Sequence, residues 1–507
     1  MMTIDIQTPF VLGVVGTGLM GRGIAQIAAQ GGIQVILHDS RENAALEAKD
    51  AIISIFESLA AKGKMTTDAV VESVARLSVA SSLTDLAECS VVVEAIVEKL
   101  DAKRELFQQL ETVVSDKCIL ATNTSSLSIT AIASNCKHPG RVAGFHFFSP
   151  VPLMKIVEVI AGPLTDDEAA TTLVEIAQRM GHTPVRASDT PGFIVNHAGR
   201  GYLTESLRLL GETIAPYPEI DRILRLGAGF RMGPFELLDL TGLDVSQPVM
   251  ESIYDQYYQE PRFRPSPIAR QRQAAGLLGR KTQRGFYRYD NGQKQEMPVP
   301  PVPQRQDRPV WLNPPDAEAF PAVVQLLRTV GAPLDTGERP SEGSICLLLP
   351  IGDDISTSAT ALGLDPTRCV GLDPLFLDGC RTLMTCPVTA PAYRDAAHAL
   401  LAGDNVPVAV IQDSPGFVSQ RVLAAIVNIG CDIAQQGIAT PGDIDRAVTL
   451  GLGYPQGPLS MGDRFGAATI LKILDGLFEF YRDPRYRPSP WLKRRAILGL
   501  SLLTPNS

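Results

Sequence analysis

Apolar residues first gather in a short unbroken run, FVLGVV at 10–15, that gives way to glycine. A run of that length without polar alternation predicts a strand buried on both faces of a parallel sheet. In the following GRGIAQIAAQ the period changes, and Ile24, Ile27 and Ala28 share one helical face. QVILHD predicts a second strand ending at Asp39, 41–62 predicts a long helix, and a further helix precedes a strand in VVVEAIV at 91–97. Strands follow at 118–124 (CILATNT) and 141–148 (RVAGFHFF). Strands alternating with helices predict an α/β fold on a parallel sheet. After Asp189-Thr190-Pro191-Gly192-Phe193 the β-type runs stop, and 193–211, 218–227 and 233–258 predict helices. Between 291 and 315 prolines crowd the chain (MPVPPVPQRQDRPVWLNPP), a composition that favours an extended linker.

The pattern then repeats. DTPGFIVN at 189–196 returns as DSPGFVSQ at 413–420, an offset of 224 residues (413 − 189). Glu219-Ile220-Asp221-Arg222 returns at that offset as Asp443-Ile444-Asp445-Arg446, and LGAGFRMGPFELLD at 226–239 as LGLGYPQGPLSMGD at 450–463. EPRFRPSP at 260–267 returns as DPRYRPSP at 483–490. Matched motifs at a nearly constant spacing predict a duplicated helical domain. Upstream the second copy is worn: 346–374 tracks 118–146 with about one gap, and no second glycine-rich loop precedes it.

Composition narrows the functional classes. A chain of 507 residues exceeds a single hydrophobic core, and its 45% hydrophobic and 20% charged residues are those of a soluble globular protein. A net charge of −9 excludes nucleic-acid binding as the main task, while leaving room for local basic spots that hold a small phosphorylated ligand. The eight cysteines show no C-x-x-C spacing, so no zinc or redox motif is expected and the thiols suit a reducing cytosol. No basic segment followed by an apolar one opens the chain, and no run of about 18 apolar residues occurs. These features predict a cytoplasmic protein without a membrane partner.

The first strand runs into Gly16-Thr17-Gly18-Leu19-Met20-Gly21, and a helix follows. Strand, G-x-G-x-x-G and helix together predict a dinucleotide loop. Gly16 permits the tight turn, Gly18 lets backbone approach the pyrophosphate, and Gly21 allows close helix–strand packing, while the helix N-terminus offers unpaired N–H groups. Asp39, 18 residues after Gly21, is placed to accept from ribose hydroxyls and to repel a 2′-phosphate, which favours NAD over NADP. Arg41 stands close enough to weaken that preference, and a flavin uses the same loop.

His146, in GFHFFSP, closes a strand at the end where open α/β sheets bind ligands. On its own such a histidine also reads as a hydrogen-bonded structural residue. Glu158, 12 residues on and flanked by apolar β-type residues, needs a partner if buried, and an imidazole would supply one. Ser125 in NTSSL and Asn196 just after PGF offer donors to charge developing on a substrate oxygen.

The segments GVVGTGLMGRGIAQ, VVVEAIVEKLDAK, ATNTSSLSIT, HFFSPVPLMKIVEVI, DTPGFIVN and LGAGFRMGPFELLDLTGLDV together resemble the L-3-hydroxyacyl-CoA dehydrogenase family over about residues 10–290. The two-copy length resembles bacterial forms acting on 3-hydroxyadipyl-CoA or 3-hydroxybutyryl-CoA. The resemblance implies an NAD enzyme with an acyl-CoA substrate. His146 would be the base, Glu158 its orienting partner, and Ser125 and Asn196 would hold substrate oxygens. It also implies that Glu98, Lys103 and Lys281 help to place the nicotinamide and that Lys62 contacts the CoA phosphates. Ser149 stands where the family usually has asparagine, and His197 where arginine is common.

The organisation expected is a Rossmann-type NAD domain at 1–188, a helical domain at 189–290, a proline-rich linker at 291–340, a truncated Rossmann-like remnant at 341–412 and a second helical domain at 413–507. In the second copy Asp373 falls opposite His146, Asp353 opposite Ser125 and Gln420 opposite Asn196, so a single active site is expected. Family helical domains pair in homodimers, which implies that the second copy supports the first from within the chain, with a homo-oligomer as the other possibility. The competing functions are another NAD-dependent hydroxy-acid dehydrogenase of L-gulonate type and a non-catalytic crystallin-like protein.

Overall fold

The computed structural model describes residues 10–506 and contains two units. The first runs to His197 and takes in Gln436–Leu452; the second holds Ala198–Gln435 and the chain from Gly453 onward.

The first unit is built on an eight-stranded sheet: β1 Val11–Val15, β2 Gln34–His38, β3 Leu77–Val79, β4 Val91–Glu94, β5 Ile119–Thr122, β6 Val142–Phe147, β7 Ile156–Ala161 and β8 Thr183–Ser188. Their order is β3-β2-β1-β4-β5-β6-β7-β8, and the pairing of β6 with β7 is antiparallel while the others are parallel. Leu12 and Val14 of β1, Val91 and Val93 of β4 and Ile24 and Ile27 of the Leu19–Gln30 helix share one core. The helix expected over 41–62 is present as Ala44–Ala61, and a shorter helix, Thr67–Ala75, precedes β3.

Pro441–Leu452, expected within the second helical domain, packs instead on β7 and β8 of the first sheet. Ser188 N donates to Ile438 O at 2.8 Å, and a Cβ on Gly451 would stand 2.9 Å from Val195.

The second unit joins helices to a smaller sheet. The segment expected as one helix over 233–258 breaks into Pro234–Thr241 and Leu243–Gln256, because Gly242 takes φ +88°. Asp239 and Asp221 then clamp the returning segment: Asp239 accepts from Phe286 N and Tyr287 N at 2.8 Å, and Asp221 accepts from Tyr287 OH at 2.8 Å. In the repeat, Asp463 accepts in the same way from Leu502 N at 2.8 Å.

A hairpin of β9 Tyr289–Asp290 and β10 Gln293–Lys294 leads to a second sheet: β11 Val310–Leu312, β12 Leu334–Asp335, β13 Ile345–Leu348, β14 Cys369–Leu372, β15 Arg381–Thr385 and β16 Val408–Gln412. Its order is β12-β11-β13-β14-β15-β16, again with one antiparallel pairing, β14 with β15. The sheet therefore begins at Val310, inside the stretch expected as a linker. The Pro321–Thr329 helix buries Val323, Leu326 and Leu327 in the sheet's core, an amphipathic signal masked in the sequence by the surrounding prolines.

Within this unit the helices Arg200–Gly211 and Ser419–Gln435 cross closely, so that a Cβ on Gly201 would come within 3.0 Å of the Ile426 backbone and 3.1 Å of Ala425. Arg421, fully buried, donates to Glu205 Oε1 from Nε at 2.9 Å and Nη2 at 2.7 Å. Its Nη1 reaches Glu212 at 2.8 Å, and the Tyr486 hydroxyl, at 2.9 Å from Nη2, donates to Glu205 at 2.7 Å. At the β16 edge of the sheet Gln412 N donates to Ile214 O at 2.9 Å. Among the described residues no helix is long and apolar enough to cross a membrane.

Candidate active site

The glycine loop lies between β1 and the Leu19–Gln30 helix. Gly16 takes φ +93°, and a Cβ on Gly21 would stand 1.8 Å from the Gly16 carbonyl oxygen, so both positions require glycine. A Cβ on Gly18 would meet nothing within 4 Å, which leaves room for a ligand against the backbone. Leu19 and Met20 form the first turn of the helix, which has no side-chain cap and no acidic residue, so its N–H groups are available to an anion.

A cleft of about 620 Å³ opens beside the loop, lined among others by Gly16, Gly18, Asp39, Ala95, Ile96 and Leu106. Asp39 accepts from Thr17 N at 2.8 Å and from Arg41 Nε at 3.0 Å. Partial burial opposes its charge, but the Arg41 guanidinium and the Thr17 and Arg41 N–H groups outweigh that and hold its carboxyl well below the usual range. The loop and the anionic residue beside it fit NAD.

His146 and Glu158 are direct cross-strand partners on β6 and β7. His146 Nδ1 lies 2.7 Å from Glu158 Oε2, with the histidine 4% and the glutamate 0% exposed. The other carboxylate oxygen accepts from Ile194 N and Val195 N, each at 2.9 Å. Those donors are aimed by Gly192 (φ +77°) and Phe193 (φ +48°), two consecutive left-handed residues. The buried charge is thus met by three donors. Because Nδ1 carries its proton toward the carboxylate, the lone pair of neutral His146 lies on Nε2. Asn196 follows Val195 directly on the Val195–Ala198 helix and is half-buried.

Ser125 is exposed on the turn after β5. Glu98 holds that turn, its Oε1 accepting from Thr124 Oγ1 at 2.7 Å, Ser125 N at 2.9 Å and Ser126 N at 3.1 Å. Burial opposes the charge of Glu98, yet Lys103 and these donors hold its carboxyl below the ordinary range. Lys103, expected beside the cofactor, is only 1% exposed, with Nζ 2.6 Å from Glu94 and 3.2 Å from Glu98. Its charge is matched by two carboxylates, one of which, Glu98, holds the Ser125 turn. Glu94, fully buried, also accepts from Thr122 Oγ1 at 2.6 Å and Ile96 N at 2.7 Å. Sequence reasoning passed over it as a strand residue; the signal was an acid ending an otherwise apolar run, VVVE.

Lys62 is an exposed cap at the end of the Ala44–Ala61 helix. Lys281, in the second unit, is ion-paired with Asp244. Among the described residues no group of histidine, cysteine and carboxylate side chains suits a metal ion.

The second sheet carries different residues at the corresponding positions. Asp373 N is bonded to Thr382 O across β14 and β15, the relation of His146 to Glu158 on β6 and β7. Asp373 Oδ1 accepts from Gln420 Nε2 at 3.0 Å, while its Oδ2 and the Thr382 hydroxyl are buried without a hydrogen-bond partner. Asp353, opposite Ser125, is exposed. Burial pushes the Asp373 carboxyl up to about 7. A raised folded-state value means that stability is fully present below the ordinary aspartate range and is lost as pH rises toward 7. Asp373→Asn is therefore expected to stabilise the protein at pH 8 by about 1–3 kcal/mol and to change nothing near pH 4. Thermal unfolding at the two pH values checks this, and equal effects at both would refute it.

The profile of the 3-hydroxyacyl-CoA dehydrogenase NAD-binding domain matches residues 11–190. That of the same family's C-terminal domain matches 192–289 and again 416–501. The chain is 36% identical to the 3-hydroxyadipyl-CoA dehydrogenase of Escherichia coli K12, covering 98% of this chain and 99% of that protein. It is 43% identical to a probable 3-hydroxybutyryl-CoA dehydrogenase of Deinococcus radiodurans over 55% of this chain and 99% of that one. Among solved structures, the 3-hydroxybutyryl-CoA dehydrogenase of Escherichia coli K12 superposes with a TM-score of 0.86 at 36% identity, covering 96% of this chain and 98% of that one.

Proposed function

This chain belongs to the 3-hydroxyacyl-CoA dehydrogenase family, and from that premise we propose that His146 and Glu158 carry out its NAD-dependent oxidation of an L-3-hydroxyacyl-CoA. The observation that carries the assignment is the buried cross-strand pair, with the second Glu158 oxygen held by Ile194 and Val195. His146 Nε2 takes the proton from the 3-hydroxyl, and Glu158 stabilises the imidazolium that forms. NAD, when bound, accepts the hydride from C3. Gly16, Gly18 and Gly21 admit its pyrophosphate, Leu19 and Met20 present helix N–H groups, and Asp39 takes the ribose hydroxyls. Ser125 and Asn196 hold substrate oxygens, and Glu98 and Lys103 fix the Ser125 turn. Lys62 meets CoA phosphates; for Lys281 the family resemblance alone supports a role near the nicotinamide.

Whole-chain relatives carry both names, 3-hydroxyadipyl-CoA and 3-hydroxybutyryl-CoA dehydrogenase, and of these two candidate substrates we take the adipyl thioester as the reading to be tested. Initial rates should give the adipyl substrate a kcat/KM about tenfold higher, since a distal carboxylate is read by a polar contact. The reverse order would overturn the substrate assignment. Turnover of a free hydroxy acid with none of the thioester would overturn the function itself.

The second half is a duplicated, degenerate copy that serves as a scaffold. Gly201 meets Ala425, its own equivalent (425 − 201 = 224), as residues on a two-fold axis do. The bonds Ser188–Ile438 and Gln412–Ile214 are likewise one contact made twice, since 412 − 188 and 438 − 214 are both 224. These relations support an internal pseudo-dimer in place of a homodimer. The eight free cysteines fit a cytoplasmic location.

A further inference from the structure

The second unit contains a cavity of about 830 Å³ that none of these roles uses, between the Pro267–Ala274 helix and the chain that follows it. Its volume lies in the range of small-molecule sites. Arg272, Arg284 and Arg288 line it, together with Tyr217, Phe286 and Glu296. Arg284 and Arg288 are exposed and face each other across an antiparallel bridge. Arg272 lies over the Phe286 ring, 4.1 Å from its centroid, and donates Nη1 to Gly285 O at 2.9 Å. Tyr217 stands beside the same ring at 5.9 Å between centroids.

The charges around this cavity are unbalanced. None of the three arginines forms an ion pair among the described residues, in a chain whose net charge is −9. The one carboxylate in the lining, Glu296, is paired with Lys294 at 3.2 Å, and Lys294 also holds Glu236 at 2.8 Å. Burial lowers the pKa of the Arg272 guanidinium, Tyr217 and Asp239 oppose that without cancelling it, and Arg284 adds to the lowering by repulsion, so an anion placed there would relieve both the burial and the repulsion. Guanidinium forks suit phosphate oxygens, and aromatic faces beside them suit a planar ring.

We propose that this cavity binds a phosphate-bearing ligand of the nucleotide class, with its ring against Phe286 and Tyr217 and its phosphates on Arg272, Arg284 and Arg288. The cavity shares no lining residue with the glycine-loop cleft, and the proposal does not rest on the oxidation assigned to His146.

The test is calorimetric titration of the full chain with ADP, beside the double variant Arg284→Ala/Arg288→Ala. Both side chains are exposed, so folding and turnover should be unchanged. The wild type should bind one equivalent of ADP more than the variant, or bind it about tenfold more tightly at this site. Adenosine and inorganic phosphate should each bind there more weakly than ADP. A stronger response to adenosine 3′,5′-bisphosphate than to ADP also supports the site and identifies its source as a CoA headgroup. Identical ADP stoichiometry and affinity in the two proteins would overturn the proposal. So would inorganic phosphate binding as well as ADP, or loss of turnover in the variant. Failure of the dehydrogenase assay would leave this comparison intact, so the two readings fail separately.

Discussion

Replacing His146 with glutamine is expected to lower kcat by about 10²–10⁴-fold while leaving NAD affinity within about twofold. The side chain that takes the proton is lost, but glutamine can still hydrogen-bond to Glu158, so the buried carboxylate is not stranded. The glycine loop and Asp39, to which the proposed function assigns the cofactor's pyrophosphate and ribose, are not part of that pair. Steady-state turnover combined with fluorescence titration of NADH reads both quantities. A near-normal kcat would remove His146 as the base. A parallel collapse of NADH binding would show a folding defect instead.

The second large effect is on stability. Arg421→Ala is expected to cost about 3–5 kcal/mol, because it leaves Glu205 charged, buried and short of its main partner. Burial opposes the charge of Glu205, and Arg421 first, then Arg485, hold its carboxyl below the ordinary range. A depressed folded-state value contributes stability that is present above the unfolded pKa and lost as pH falls through the folded one. Without Arg421 that contribution disappears at neutral pH, and protonation of Glu205 then makes the variant's deficit shrink as pH falls from 7 toward 4. Thermal unfolding across that range checks the sign. A double replacement, Arg421→Met with Glu205→Met, should recover most of the loss. A deficit independent of pH would mean that lost packing, not a stranded charge, is the cause.

Much of the active centre was legible because its chemistry obeys local rules. The glycine loop sits where strand, turn and helix meet, and Glu158 was conspicuous as an acid inside an apolar strand. What escaped notice depends on contacts between distant segments. Glu94 looks like an ordinary strand end until Lys103 is found buried against it. The Ile194 and Val195 N–H groups carry no side-chain signature, yet they complete the Glu158 site. The sheet strand at Val310–Leu312 was hidden because its proline-rich flanks resemble a linker, whereas its burial comes from partners far along the chain. Pro441–Leu452 falls within the expected second helical domain, but its docking on β7 and β8 is a matter of chain crossing that no local pattern records.

Arg421, Glu205 and Tyr486 form one polar cluster, and the repeat places His197, Ile429 and Phe263 at the matching positions (421 − 224, 205 + 224 and 486 − 223). In a symmetric pair of identical subunits every substitution at the contact arrives twice, so a change that helps one side must be tolerated on the other. Fusing the two copies removes that constraint. A charged cluster can then be kept on one side only, while the matching positions hold a histidine and two apolar residues. By the same logic, the strand ends at Asp373 and His146 are free to differ, one carrying a lone buried carboxyl and the other the histidine to which the oxidation is assigned above.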